Sequence, residues 1–369
     1  MSAERHDALL RHMKRAVRLA VRGHGRVEPN PMVGCVVLDA GGRDVGAGFH
    51  RRLGGEHAEV EALRRAGAAA KGGTLVVTLE PCSHHGRTPP CTDAIRAAGV
   101  ARVFFAARDP NPAAAGGAEA LRRAGIEATH LPCPLADELN APFLRRTIDE
   151  RPWVSAKWAQ TIDGAIAAPS GESRWISSPR MRRAVHRERG RVDAILTGIG
   201  TVLIDDPQLT VRGVTARRTP IRVVVDPRLR LRADTKLARD AATGPAVVVA
   251  VRPDELEQRR DRREELEALG VRFVELPPEP GGLSAMLRAL ARDFGVHRVL
   301  VESGGGLLGA MVRESLIDEC WVVLAPTIAG SASAPRAVRG LEPSAPASMH
   351  RRRLAGSWRR GDEMLLLYR

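Results

Sequence analysis

The chain has 369 residues, 44% of them hydrophobic, which is long for one core, comfortable for two, and incompatible with global disorder. Its formal net charge of +14 comes almost wholly from arginines spread along the sequence, and aromatic residues make up only 3%, poor material for stacking bases. Charge therefore does not by itself specify nucleic acid, since a small phosphorylated substrate would profit from the same positive field. No apolar run reaches 18 residues and Met1–His6 has no apolar core, so neither a membrane span nor a secretory leader is expected.

Apolar residues at 9, 10, 13, 17, 20 and 21 recur with helical spacing over Asp7–Arg22. Pro29-Asn30-Pro31 breaks the chain, Val33–Leu38 reads as a strand, Gly41-Gly42 as a turn and Val45–Phe49 as the partner strand. Helix is predicted over Ala58–Ala70, strand over Thr74–Leu79, helix over Thr92–Ala98, strand over Arg102–Ala106 and helix over Ala118–Ala124, closed by Gly125. Such β-α-β alternation predicts an α/β sandwich with a mostly parallel sheet.

Pro132, Pro134 and Pro142 then punctuate the sequence, and a boundary near residues 145–150 separates domains 1–147 and 148–369. Beyond it, strands are predicted at Trp153–Ala159, Ala194–Thr197, Ile221–Asp226, Ala246–Val251, Val271–Glu275, Val299–Glu302 and Glu319–Ala325. Helices at Pro179–Arg189 and Pro253–Leu269 make the second domain α/β as well. No internal repeat links the halves.

Five scattered cysteines are too few for a disulfide scaffold. In a reducing cytosol Cys82 and Cys91 read as metal ligands, and Cys35, Cys133 and Cys320 as small core residues. His57-Ala58-Glu59 opens one predicted helix, Pro81-Cys82 follows a strand, and Pro89-Pro90 presets the start of the helix at Cys91. Both cysteines are thus expected at helix N-termini, where the dipole favours thiolate. One His and two Cys leave a fourth tetrahedral position open, the count of a catalytic zinc site, and Glu59 is positioned to move protons. The order is that of the zinc-deaminase signature H-x-E…P-C-x-x-C, with the final gap lengthened to eight residues. Taken singly, each residue reads as an ordinary helix-start histidine or a buried thiol; together they read as a site.

Gly55-Glu56-His57-Ala58-Glu59-Val60 and the run from Thr78 through Cys82-Ser83-His84-His85-Gly86-Arg87-Thr88-Pro89-Pro90-Cys91 closely resemble the bifunctional riboflavin-biosynthesis deaminase/reductase family. Pro29–Gly34 and Asp109-Pro110-Asn111-Pro112 match too, as do Lys157 with Thr161–Gly164, Ser170–Ile176, Leu196–Val202, Asp205–Arg212 and Val301–Gly306 in the second half. Two departures stand out: the segment after Pro112 is about one residue short, and Thr161-Ile162 replaces Ser-Leu. The resemblance implies a cytidine-deaminase-like α/β/α sandwich followed by a dihydrofolate-reductase-like α/β domain. It implies zinc-dependent deamination of 2,5-diamino-6-ribosylamino-4-pyrimidinone 5′-phosphate, then NADPH-dependent reduction of its ribosyl group to ribityl. A cytoplasmic homo-oligomer, a dimer, with no nucleic-acid or membrane partner is the matching expectation.

By the same resemblance Asn30, Arg87, Asp109 and Asn111 line the deaminase substrate pocket. Ser173, Arg189, Leu209, Arg212 and Glu302 face the reductase substrate. Ala159, Trp175, Thr201, Asp205 and the loop Gly304, Gly305, Gly306, Leu307, Leu308, Gly309 and Ala310 face NADPH. On residue type alone, Arg87 and Arg212 read as bidentate phosphate ligands or as surface arginines, and Trp175 as a cofactor wall or a core aromatic. Gly304–Gly309 has G-x-G-x-x-G spacing between a strand and a helix, but no acidic residue follows about 20 positions on, which argues against a Rossmann domain. Two rivals remain: a nucleoside or tRNA deaminase fused to an unrelated domain, and a zinc-stabilised nucleic-acid-binding protein, which leaves Glu59 without a purpose.

Overall fold

A computed structural model describes residues 2–85, 89–111, 115–173, 175–278 and 280–369. The chain divides into two compact units, Met1–Asp149 and Glu150–Arg369. No helix among the described residues is long and apolar enough to cross a membrane.

The first unit opens with α1 (Ala3–Ala20), whose N-cap Ser2 accepts from the Arg5 amide and whose buried stripe is Leu9, Met13, Ala16, Val17 and Ala20. There follow β1 (Gly34–Leu38), β2 (Asp44–Phe49), α2 (Ala58–Ala66), β3 (Thr74–Leu79), α3 (Cys91–Ala97), β4 (Arg102–Ala107), α4 (Gly117–Arg123), β5 (Glu127–His130) and α5 (Pro134–Asp149). Sheet order is β2-β1-β3-β4-β5. The β3–β4 and β4–β5 pairs are parallel, but β1 runs antiparallel to both neighbours, so the sheet is mixed rather than mostly parallel. The hairpin at Gly41-Gly42 reverses β2 against β1, and the α2 crossover then brings β3 in parallel to β2 on the far side of β1.

Alternation along the strands sends Leu75, Val77, Val103 and Phe105 to α2, α3 and α4, and Val76, Phe104 and Ala106 to α1 and α5. The result is the expected α/β/α sandwich. Two glycines seat α2: a Cβ on Gly46 would lie 2.4 Å from the Ala62 carbonyl oxygen, and one on Gly48 would lie 2.6 Å from that of Ala58. The helix therefore rests on bare backbone of β2. The proline-punctuated stretch is not a linker. Pro134 starts α5, Pro142 lies inside it, and Leu139 packs into the core.

The second unit is built on β6 (Trp153–Gln160), α6 (Pro179–Arg189), β7 (Ala194–Gly198), α7 (Ile199–Asp205), β8 (Ile221–Val225), α8 (Lys236–Arg239), β9 (Val247–Val251), α9 (Pro253–Gln258) and α10 (Arg260–Ala268). It continues with β10 (Arg272–Glu275), α11 (Gly282–Asp293), β11 (Arg298–Val301), α12 (Gly305–Arg313), β12 (Glu319–Leu324), β13 (Leu354–Arg360) and β14 (Glu363–Tyr368). The sheet runs β10-β9-β8-β7-β11-β6-β12-β14-β13, parallel through β12 and closed at one edge by the antiparallel β13–β14 hairpin. That order differs from the 3-2-1-4-5-6 of a Rossmann sheet, as the missing acidic residue required. The helix expected over Pro253–Leu269 is two, broken at Arg259, where ψ of 43° leaves the helical region. Apolar clusters fill both faces of the sheet. The ends of the parallel strands are left free to build a cleft.

Candidate active sites

His57 immediately precedes α2, with extended backbone (φ −72°, ψ 160°), so its ring projects from the helix start beside the last residues of β2. Cys91 is the first residue of α3, and Pro90 fixes its approach. Cys82 lies in irregular chain beyond β3, not at a helix start as expected, yet its sulfur accepts the Cys91 backbone N–H at 3.4 Å and so shares the first turn of α3. The three donor atoms lie within 4.8 Å of one another. His57 Nδ1 stands 3.2 Å from Cys91 Sγ and 3.6 Å from Cys82 Sγ. Bonds of about 2.0–2.3 Å to a tetrahedral zinc would set its donors roughly 3.3–3.8 Å apart, so the NS₂ set fits that metal and leaves one position open.

Glu59 occupies the first turn of α2 and is 3% exposed. Burial pushes its carboxyl up from the ordinary value, and the Cys82 sulfur pushes the same way against the pull of His57. Cys82 is held low as a thiolate, chiefly by the hydrogen bond from the Cys91 thiol, and Cys91 is correspondingly raised because it keeps the shared proton. Asp109, half-buried beyond β4, has its carboxyl pushed up by burial and by the nearby Glu80 and Cys82 charges, while the Asn111 backbone N–H donates to its Oδ1 at 2.9 Å. Arg87 lies outside the described residues.

Sequence reasoning missed His50. It is 3% exposed, its ring meets that of His57 edge-on at 5.5 Å, and Nδ1 donates to the Glu56 carbonyl oxygen at 3.0 Å. With the proton on Nδ1, Nε2 is the acceptor for the Asn30 amide nitrogen 3.4 Å away. Asn30 thus reaches the site through His50. The available signal was a histidine directly after a strand that ends level with the metal ligands.

In the second unit a cleft of about 1250 Å³ opens at the C-terminal ends of the parallel strands, where α/β sheets bind ligands. Ser173, Arg189, Leu209, Arg212 and Glu302 line it, as do Ala159, Trp175, Thr201, Asp205, Gly304–Leu307 and Ala310. Two expected residues do not. Leu308 is fully buried in the core, and a Cβ on Gly309 would come 1.8 Å from the Arg339 carbonyl oxygen. The segment read as a loop is the start of α12, and helical rotation turns Leu308 and Gly309 inward.

Arg189 grips Glu302 with two bonds of 2.7 and 2.8 Å, both side chains being nearly buried. Burial alone would raise the Glu302 carboxyl, but Arg189, Lys157 and His186 more than reverse this and hold it at about 2. The same burial, with Arg189 and Arg212, takes His186 down to about 4, and its Nδ1 accepts the Arg212 backbone N–H at 3.2 Å. Lys157, half-buried at this end, is lowered by burial. His186 and Lys157 are cleft residues that the sequence had not singled out for roles. Trp175 is 67% exposed with the Arg182 guanidinium 4.2 Å above its ring, so it is a wall of the cleft and not a core aromatic. Asp206 and Leu209 hold positive φ of 38° and 49°, a strained turn that carries Arg212 to the rim.

Known proteins carry both units in this order. Residues 7–107 match the cytidine and deoxycytidylate deaminase zinc-binding region, and residues 152–366 match the RibD C-terminal domain. The riboflavin biosynthesis protein RibD of Aquifex aeolicus is 41% identical over 86% of this chain and 87% of its own length. The RibD protein of Escherichia coli is 42% identical over 87% of this chain and 88% of its own.

The chain belongs to the RibD family.

Solved RibD structures agree throughout: one from Acinetobacter baumannii has a TM-score of 0.82 at 37% identity, covering 98% of this chain and 99% of that one. The Thermotoga maritima structure, titled a diaminohydroxyphosphoribosylaminopyrimidine deaminase/5-amino-6-(5-phosphoribosylamino)uracil reductase, gives 0.82 at 33% identity over 99% of each chain. As a RibD-family member the protein is a bifunctional deaminase/reductase of riboflavin biosynthesis, with a zinc-binding deaminase domain and an NADPH-dependent reductase domain. This removes both rivals, since neither an unrelated second domain nor a purely structural zinc accounts for the match across both units.

Proposed function

We propose that this chain deaminates 2,5-diamino-6-ribosylamino-4-pyrimidinone 5′-phosphate in residues 1–147 and reduces the product in residues 148–369, giving 5-amino-6-ribitylamino-uracil 5′-phosphate. The observation that carries this reading is the open three-donor cluster with buried Glu59 beside it, on the same chain as a cleft that joins a buried Arg–Glu pair to a glycine-rich helix start. His57, Cys82 and Cys91 would hold zinc. When bound, zinc supplies Lewis acidity that brings the pKa of a coordinated water to about 7.

Glu59 takes a proton from the attacking water as its oxygen bonds to the amine-bearing ring carbon, and returns that proton to the departing nitrogen, so that ammonia leaves. The raised carboxyl of Glu59 suits both transfers. Asn30, Arg87, Asp109 and Asn111 orient the pyrimidine and its phosphate. In the second site NADPH, when bound, supplies the hydride. Ser173, Arg189, Leu209, Arg212 and Glu302 position the ribosyl phosphate, with the Arg212 guanidinium offering its fork to the phosphate at the rim. Ala159, Trp175, Thr201, Asp205, Gly304–Leu307 and Ala310 hold the cofactor, the bare amides of Gly304–Gly306 facing its pyrophosphate. A cytoplasmic homodimer belongs to the same proposal and is tested by sedimentation of the purified chain.

The decisive experiment incubates the purified protein with the diaminopyrimidine, with and without NADPH, and identifies products by mass. Ammonia release without NADPH, and ribityl product only with it, is the expected result; no ammonia from the zinc-loaded protein overturns the reading. One zinc per chain is expected by metal analysis, and Cys82→Ser should lose both the metal and ammonia release. Two metals per chain, or full activity after chelation, would count against the assignment.

A further inference from the structure

The cleft has two ends. At one, Lys157 on β6 and Glu302 beyond β11 enclose the groups assigned to the ribosyl substrate. The pyrophosphate position, at the N-terminus of the nine-residue α12, follows directly from β11. In the other direction the sheet continues β7, β8, β9, β10, and the cleft follows it. There Val225, Pro227, Leu276 and Pro277 form an apolar wall suited to a purine face, and Arg252, the first residue past β9, borders it.

Most cations of the cleft are already engaged. Lys157 and Arg189 face Glu302, Arg182 stacks on Trp175, Lys236 pairs with Asp206, and Arg212 bonds Gln208. Arg339 lies against the first turn of α12, its side chain within 3.2 Å of where a Gly305 Cβ would stand, so it belongs with the pyrophosphate. Arg252 is half-buried, and among the described residues no carboxylate pairs with it. β9 stands three strand spacings from β11, roughly 14 Å. One ribose and one arginine side chain together span that gap.

We infer that Arg252 reads the 2′-phosphate on the adenosine ribose, and so is the residue by which this chain distinguishes NADPH from NADH. The inference rests on the NADPH-dependent reading of the second unit. A guanidinium matches the fork of phosphate oxygens, and a cation kept free of carboxylates does not have to break an ion pair to bind it.

The test measures binding, not turnover, by calorimetry on the full-length chain with two probes, adenosine 2′,5′-bisphosphate and adenosine 5′-monophosphate. The wild type should prefer the bisphosphate. Arg252→Ala should weaken the bisphosphate by roughly 10- to 100-fold and leave the monophosphate unchanged, and Arg252→Lys should restore part of the preference. If the wild type has the preference and Arg252→Ala keeps it, or if Arg339→Ala alone abolishes it, the inference is overturned. If the wild type binds both probes equally, the NADPH preference itself fails, an outcome separate from any effect of the variants.

Discussion

Glu302 shows what a single residue's surroundings do to its chemistry. Its carboxyl lies at about 2 instead of 4.5 because Arg189, Lys157 and His186 outweigh the cost of burial. As pH falls, the unfolded chain takes up this proton before the folded one. The stability contributed by Glu302 is therefore complete above pH 4.5 and is lost as pH drops through the window down to about 2. His186, a base depressed to about 4, adds loss in the same direction at somewhat higher pH. Glu302→Gln strands Arg189 without its partner, so the variant should be less stable at pH 7. Its urea midpoint should nevertheless fall less than that of wild type between about pH 4.5 and pH 3. Parallel midpoint curves in that window would show that the pair is not the source of acid sensitivity. The family resemblance put Arg189 and Glu302 at one site, but their pairing was not legible from sequence, where they stand 113 residues apart.

At the scale of elements, the strands and helices with strong periodicity or strong punctuation were read to within a residue or two. Thr74–Leu79 and Pro179–Arg189 are found as expected, because each is bounded by residues that can act only as ends. α5 was lost to the opposite effect. Pro134 is tolerated at a helix start and Pro142 within the helix, where tertiary packing of Leu139 outweighs the signal of the ring. Helix α11 and the β13–β14 hairpin went unread, although Pro277-Pro278 and Pro280-Gly281 precede the helix and Gly361-Asp362 marks the hairpin turn. The glycines of β2 were visible only as weak strand residues, and their purpose appears in three dimensions. α2 approaches so closely at Gly48 that a methyl group would meet the Ala58 carbonyl and the Ala62 amide at 2.6 and 2.7 Å. Gly48→Ala should therefore lift the start of α2, carrying His57 and Glu59 with it. A loss of about 1–3 kcal/mol is expected from overpacking, together with reduced zinc occupancy, read by denaturation and metal analysis. An alanine variant with native stability and a full complement of zinc would mean that the helix does not need this seat.

The whole molecule places each chemistry within one unit: the first site draws on residues 30–111 and the second on residues 157–339. The zinc ligands were legible because few roles suit a His and two Cys in that order. The cofactor cleft was legible mainly through family resemblance, because its walls come from six strand ends whose convergence no spacing announces. Separate construction predicts separable activities. Glu59→Gln preserves size and hydrogen bonding, so the metal cluster and fold should survive, but an amide cannot carry a proton at neutral pH. Loss of general acid–base catalysis costs about 10²- to 10⁴-fold, and because one carboxyl serves both water and amine, ammonia release should fall at the upper end of that range or beyond. Reduction of already deaminated substrate should continue near the wild-type rate, since no residue assigned to the cleft has changed. Conversely, Arg212→Ala or Asp205→Asn should impair reduction while ammonia release persists. Both half-reactions are to be measured on each variant, alongside far-UV circular dichroism to confirm folding. Normal deamination by Glu59→Gln would remove Glu59 from its catalytic role, and loss of reduction in that well-folded variant would show that the two sites do not work independently.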